Sequence, residues 1–281
     1  MAAEELSPRC LRLTEHVISM NPAHYTVWLY RFKIIRTLNL PIPEEIAWLN
    51  EVSLANLKNY QIWHHRQLIM DYYYPQMDSA DAKKLARSEA EFVSRILEED
   101  TKNYHVWSYR QYLVELMGLF TPSELGATQN MIEDDVRNNS AWSHRFFLVF
   151  SDPTQSTPDS LPTAHDPEVP SDVIDRELNY AREKILLAPQ NQSPWNYLRG
   201  VLAKGGRPLD GLSDFAEQFV EGLGEGEGEK VRSSHALDYL ADVYVAKGEK
   251  EKAELCLRRL AEKWDPVREG YWSYRIQQLR A

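Results

Sequence analysis

Lys58-Asn59-Tyr60-Gln61-Ile62-Trp63-His64-His65-Arg66 recurs 44 residues later as Lys102-Asn103-Tyr104-His105-Val106-Trp107-Ser108-Tyr109-Arg110. A third copy, Arg137-Asn138-Asn139-Ser140-Ala141-Trp142-Ser143-His144-Arg145, keeps the cation, the Asn, the Trp and the Arg. Weaker copies surround Trp28, Trp195 and Trp272, so six of the eight tryptophans occupy one position of one repeated unit. The first five of these tryptophans are separated by 35, 44, 35 and 53 residues. A period near 35 residues marks an array of helical hairpins, with insertions stretching some units.

Within each unit an amphipathic helix ends in acidic residues (Glu98-Glu99-Asp100, Glu133-Asp134-Asp135), and a short turn leads to Asn and a second helix. Asn is a favoured N-cap because its side-chain oxygen accepts an otherwise orphaned amide of the first turn. With Asn59 as cap, Trp63 lies about one turn in, and Arg66 follows on the same face. The tryptophan is expected to fill the gap between the unit's two helices, and the arginine to pair with the acidic helix ends. Stacked units then bury a core that no single unit could.

Outside the motif, Ser7-Pro8 opens a first helix to about Met20, and Tyr25 to Leu38 forms its partner. Further helices are predicted over Asn59–Tyr73, Ser79–Asp100, Asp172–Ala188, Ser193–Lys204, Ser234–Lys247, Glu249–Lys263 and Tyr271–Leu279. The stretch 151–170 carries five prolines among Ser, Thr and Asp, and predicts a surface loop or mobile insertion that buries little. Leu223-Gly224-Glu225-Gly226-Glu227-Gly228-Glu229 reads as a flexible acidic linker. No segment reads as a strand. The expected fold is all-α, a right-handed superhelix of tandem hairpins forming a single domain over residues 1–281.

Composition excludes several functions. Asp and Glu exceed Lys and Arg by 42 to 32, a net charge of −10, whereas a nucleic-acid-binding surface is basic. Two cysteines, Cys10 and Cys256, provide no disulfide framework and point to a reducing compartment. No apolar run reaches the roughly 18 residues of a membrane span, and Met1-Ala2-Ala3-Glu4-Glu5 is not a signal peptide. The cytoplasm is the expected location. No phosphate-binding Gly loop or nucleophile elbow is present, and His64 and His65 diverge by about 100° on a helix, too far to share one metal ion.

The turns offer more. Stacking aligns equivalent turns, so Lys58, Lys102 and Arg137 are expected to form a basic row, each beside a helix N-terminus. Such an edge suits a phosphate, diphosphate or carboxylate, while a merely capped and solvated turn is the competing reading.

The unit Lys-Asn-Tyr-Gln-x-Trp-His-His-Arg, followed by Lys-Asn-Tyr-His-x-Trp, Arg-Asn-Asn-Ser-x-Trp and Asn191-Gln192-Ser193-Pro194-Trp195, resembles the prenyltransferase α-subunit repeats in order and spacing. The likeness is strongest to the type shared by protein farnesyltransferase and geranylgeranyltransferase type I. It covers Leu11 to Leu202, fades through the Gly-Glu stretch and returns at Tyr271-Trp272.

The resemblance implies a heterodimer in which a separate β subunit holds zinc and most of the isoprenoid pocket, with magnesium expected for farnesyl transfer. It implies transfer of a prenyl group from a prenyl diphosphate to the cysteine of a C-terminal CaaX motif on protein substrates. It places Lys58 at the diphosphate as the catalytic residue. Tyr60 and Gln61 are placed at the peptide, with Gln61 on its terminal carboxylate, and Tyr25 near the peptide's last residue. Asn103, Tyr104 and His105 border the diphosphate. Two features depart from the family pattern: a further helical unit is usual before the position of Met1, and 151–170 is long. Two alternatives stand beside this reading, the α subunit of Rab geranylgeranyltransferase and a non-enzymatic helical-repeat scaffold. The resemblance does not distinguish farnesyl from geranylgeranyl.

Overall fold

The computed structural model describes residues 5–225 and 228–280. Fourteen α-helices are described: α1 (Pro8–Met20), α2 (Tyr25–Leu38), α3 (Ile42–Ala55), α4 (Tyr60–Tyr73), α5 (Ser79–Glu99), α6 (Tyr104–Met117), α7 (Pro122–Asp134), α8 (Asn139–Phe150), α9 (Ser171–Leu187), α10 (Gln192–Lys204), α11 (Ser213–Glu217), α12 (Ser234–Ala246), α13 (Lys250–Arg259) and α14 (Glu269–Arg280). The all-α expectation holds, with one correction. Val220–Glu221 (β1) and Lys230–Val231 (β2) form a small antiparallel hairpin, with Val220 opposite Val231 and Glu221 opposite Lys230. The fold is described as two compact units, Met1–Glu124 and Leu125–Ala281.

The caps follow the motif. The side chains of Asn59, Asn103, Asn138 and Asn191 each accept a backbone N–H from the first turn of the helix that follows. Ser233 does the same for α12. Leu237, four residues after that cap, holds the tryptophan position of a hairpin whose motif had diverged beyond recognition in sequence.

In the first unit, Trp28 and Trp63 are 2 % and 4 % exposed. They lie between successive hairpins instead of within their own. Trp28 stands 5.7 Å from Trp48 and 5.0 Å from His65, and Trp63 stands 5.3 Å from Tyr109. Each indole also donates to the carbonyl six residues earlier: Trp28 to Pro22 at 2.8 Å, Trp63 to Leu57 at 3.4 Å and Trp107 to Thr101 at 2.9 Å. The Leu57 carbonyl takes a second bond, from Asn103 Nδ2 at 3.1 Å, so one oxygen joins two consecutive turns.

The second unit repeats the device. Val136 O accepts from Trp142 Nε1 at 2.9 Å and from Asn191 Nδ2 at 2.6 Å. Pro189 O accepts from Trp195 Nε1 at 3.0 Å and from Ser233 Oγ at 2.6 Å. A carbonyl has two lone pairs, and both are used here. The motif Trp and Asn are therefore two ends of one joint.

The arginines of the first four copies, Arg31, Arg66, Arg110 and Arg145, do not pair with the acidic helix ends. Each takes a Glu inside the first helix of the following hairpin. Arg31 meets Glu45 through Nε at 2.8 Å and Nη2 at 2.6 Å. Arg66 grips Glu89 at 2.7 and 2.5 Å, and Arg110 reaches Glu124 at 2.5 and 2.9 Å. Within the second unit Arg145 holds Glu177 at 2.7 and 3.1 Å. Tyr109 and Tyr197 add hydroxyl bonds of 2.6 Å to Glu89 and Glu177, and His65 Nε2 lies 2.9 Å from Glu45. Burial alone would push the Glu177 carboxyl up, but Arg145, Tyr197 and Arg176 outweigh it and hold it below its ordinary value.

The stretch 151–170 is a folded strap. Asp152, Ser156, Asp166 and Val169 are buried. Asp166 accepts from Thr157 N at 3.0 Å and Thr157 Oγ1 at 2.7 Å, and its own N–H donates to Lys204 O at 3.0 Å. Lys204, 1 % exposed, donates through Nζ to Ser160 Oγ at 2.8 Å. The Gly-Glu stretch is also anchored. Glu229, 4 % exposed, accepts from Gly224 N at 2.9 Å and Trp264 Nε1 at 2.7 Å, and lies 3.0 Å from Arg259 Nε. Gly222 and Gly224 take φ of 59° and 89°, which the turn requires and side-chain-bearing residues avoid. Gly226 and Glu227 of the expected linker lie outside the described residues, as does the start at Met1–Glu4.

Candidate functional site

In the first unit the second helices α2, α4 and α6 begin with exposed tyrosines. Tyr25, Tyr60 and Tyr104 are 62 %, 61 % and 75 % exposed. An exposed aromatic at the first residue of a helix contributes nothing to a core, because the inward positions are taken by Ile62 and Trp63 or by Val106 and Trp107. Three such tyrosines, each just after a turn, put an exposed aromatic ring at the start of each second helix of this unit.

Lys58 sits in the turn before α4, its side chain 82 % exposed, with Nζ 3.9 Å from Asp100 Oδ2. An exposed pair at that distance is worth about 0–1 kcal/mol, so the ammonium can be recruited by a stronger anion at little cost. The Asn103–Leu57 bond joins this turn to the one carrying Lys102. Of the expected basic row, Lys58 and Lys102 belong to the first unit and Arg137 to the second.

Gln61 is half-buried, its N–H held by Asn59 Oδ1 at 2.9 Å, so the amide head starts from a fixed point. His105 is half-buried as well, its N–H held by Asn103 Oδ1 at 3.1 Å. Asn103, expected to border the diphosphate, caps α6 and ties two turns together with its side chain. Its oxygen accepts from His105 N and Val106 N, and its two amide hydrogens go to Leu57 O and Asp100 Oδ2. Each of its side-chain donors and acceptors has a partner within the two turns. Its contribution is to fix the turn.

The structure joins Tyr60, Tyr104 and His105 through ring contacts. Tyr104 and His105 are 5.7 Å apart between centroids, and His105 and Tyr60 are 6.4 Å apart. Tyr25 has no ring contact with this group among the described residues.

Sequence reading missed the acidic half of the arginine joints. Its signal was present, since Glu45, Glu89, Glu124 and Glu177 each lie 18 residues before Trp63, Trp107, Trp142 and Trp195. The same spacing from Trp28 falls on Cys10, which is buried and unpaired. Among the described residues no group of three or more His, Cys, Asp or Glu is placed to hold a metal ion. No described helix is long and apolar enough to cross a membrane.

Fold and turns together define an all-α tandem-hairpin protein with a polar, aromatic edge at the starts of its second helices. The protein prenyltransferase alpha subunit repeat matches five segments, residues 8–38, 42–73, 86–117, 122–152 and 174–205, and the chain belongs to that family. A Candida albicans protein named as the alpha subunit of protein farnesyltransferase/geranylgeranyltransferase type-1 is 40 % identical over 99 % of this chain and 85 % of its own length. The Schizosaccharomyces pombe protein of the same name is 43 % identical over 75 % of this chain and 64 % of its own. The geranylgeranyl transferase type-2 alpha subunit of Bos taurus is 31 % identical, and the match spans 36 % of its length. The solved Candida albicans protein geranylgeranyltransferase-I complexed with GGPP superposes with a TM-score of 0.84 at 38 % identity, covering 99 % of this chain and 86 % of that one.

Proposed function

We propose that this chain is the α subunit of a heterodimeric protein prenyltransferase of the farnesyltransferase/geranylgeranyltransferase type-1 kind, acting on a C-terminal CaaX cysteine in the cytoplasm. The observation that carries the reading is Lys58. It stands at the joined turns beside exposed Tyr60 and Tyr104, with only a loose contact to Asp100. Its ammonium is positioned to stabilise charge on a departing diphosphate. The Gln61 amide donates to the peptide's terminal carboxylate, and Tyr25, Tyr60, Tyr104 and His105 supply the faces against which isoprenoid and peptide lie.

Family likeness supports zinc on a partner β subunit and a magnesium requirement for farnesyl transfer. The type-1 reading is favoured over the Rab enzyme by a Candida match spanning 85 % of that protein, against 36 % coverage of the type-2 subunit. A non-enzymatic scaffold would not need three solvent-facing tyrosines at one class of turn. Co-expression with a prenyltransferase β subunit tests the proposal. A stable heterodimer that prenylates a CaaX peptide supports it, and the absence of any such complex with either type-1 β partner overturns it.

A further inference from the structure

His64 lies one turn after Tyr60 on α4, on the open side of a helix whose Ile62, Trp63, His65 and Arg66 all point inward. Its imidazole is parallel to the Tyr60 ring, with planes 2° apart and centroids 6.2 Å apart. From the neighbouring helix, His105 of α6 meets the same tyrosine at 6.4 Å and 59°. His105 is in turn edge-on to Tyr104 at 5.7 Å and 72°. Tyr104, His105, Tyr60 and His64 thus form one continuous row of flat rings that crosses from α6 to α4. Tyr60 and His105 are the inner rings of that row, each with two ring neighbours.

A 61 % exposed tyrosine in the first turn of a helix has several staggered rotamers open to it, and solvent opposes none of them. Ring pairs at 4.5–7 Å separation favour particular orientations. His64 is built on the same helix as Tyr60 and is half-buried, so its ring has fewer orientations open to it than the exposed tyrosine. His105 contacts the ring from a second helix, whose start is pinned by Asn103.

We propose that His64 is a positioning residue for peptide binding: with His105 it brackets Tyr60 and holds that ring ready for the substrate. This rests on the reading of Tyr60 as a peptide contact. Pre-setting one side chain avoids an ordering cost at binding equivalent to about a two- to tenfold change in affinity. The effect therefore belongs in peptide KM, with the chemical step unchanged.

The test uses the assembled heterodimer, with prenyl diphosphate saturating and a CaaX peptide varied, on His64→Ala, His64→Phe and Tyr60→Ala. The expected result is a two- to tenfold rise in peptide KM for His64→Ala at unchanged kcat and unchanged melting temperature. His64→Phe, which keeps a flat ring, should restore KM to within about twofold of the parent. A normal KM for His64→Ala alongside a raised KM for Tyr60→Ala overturns the positioning role and leaves the reading of Tyr60 standing. Unchanged kinetics for both alanine variants overturn both. A loss in His64→Ala that Phe does not relieve also overturns the bracket, because the flat ring would then not be what matters.

Discussion

Lys204 Nζ lies 4.0 Å from Asp166 Oδ2, and the two side chains are 1 % and 0 % exposed. This pair pins the strap 151–170 to the end of α10. Burial holds the Lys204 ammonium below its ordinary value against the attraction of Asp166. Asp166 is itself held below its ordinary value, because bonds from Thr157 and Glu168 outweigh its burial. The sequence suggested a stretch that could be removed freely. Deleting 154–167 instead strips Lys204 of Ser160 and Asp166 and leaves a buried cation alone, a situation that costs about 3–5 kcal/mol. In a chain of this size that is a fall of about 6–20 °C in melting temperature. Adding Lys204→Met to the deletion should recover part of the loss, because the cost is the unpaired charge. Thermal melts of the three variants decide it, and a deletion that melts like the parent refutes the anchoring role.

Trp107→Ala removes an indole 6 % exposed and should cost about 3–5 kcal/mol. Trp107→Phe keeps most of the volume but loses the indole's bond to the Thr101 carbonyl, for a smaller loss of about 0.5–1.5 kcal/mol. Denaturant unfolding of the three proteins should rank parent, Phe and Ala in that order. A variant that unfolds like the parent yet binds substrate poorly would contradict the joint.

Acid should weaken the fold in two stages. Burial depresses the His65 pKa below 6.5 more than its contact with Glu45 raises it. The unfolded chain then takes up a proton near pH 6.5 while the folded chain does not, so stability is full above that pH and falls as pH drops through it. Burial likewise depresses His235. Glu45 and Glu177 are net depressed below 4.5, and their contribution is lost as pH falls from that value toward their folded pKa values. His65→Tyr restores the residue type found at the equivalent Tyr109 and Tyr197, and should flatten part of the first stage, leaving the share of His235. Melting temperatures at pH 7.5, 6 and 5 measure this. An unchanged pH profile in His65→Tyr would remove His65 from the account.

Lys58→Ala should leave assembly intact and stability within about 0.5 kcal/mol of the parent, since the side chain is 82 % exposed. The single-turnover rate at saturating prenyl diphosphate should fall by about 10²–10³, the usual loss for one preorganised contact to developing charge. Gln61→Ala should raise peptide KM while that rate holds. An unchanged rate in Lys58→Ala would take the residue out of catalysis.

The hairpin period, the helices and the Asn caps were legible in the sequence because each depends on neighbours within a few residues. An Asn oxygen either reaches the amides two or three positions ahead or it does not, as Asn59 and Asn103 show. Arginine partners are not local. Arg31, Arg66, Arg110 and Arg145 find their glutamates 14, 23, 14 and 32 residues away, because insertions between hairpins vary while stacking does not. The constant distance runs from Glu to the tryptophan of its own hairpin, and only packed hairpins reveal that the arginine comes from the preceding one. The strap and the Gly-Glu turn were misread for the same reason. Their composition favours exposed chain, but Asp166 and Glu229 are held by Lys204 and by Trp264, residues that no local pattern could bring to them. The ring row is the opposite case within one site. The spacing of Tyr60 and His64 was visible on α4, whereas the approach of His105 required α6 to be stacked beside it.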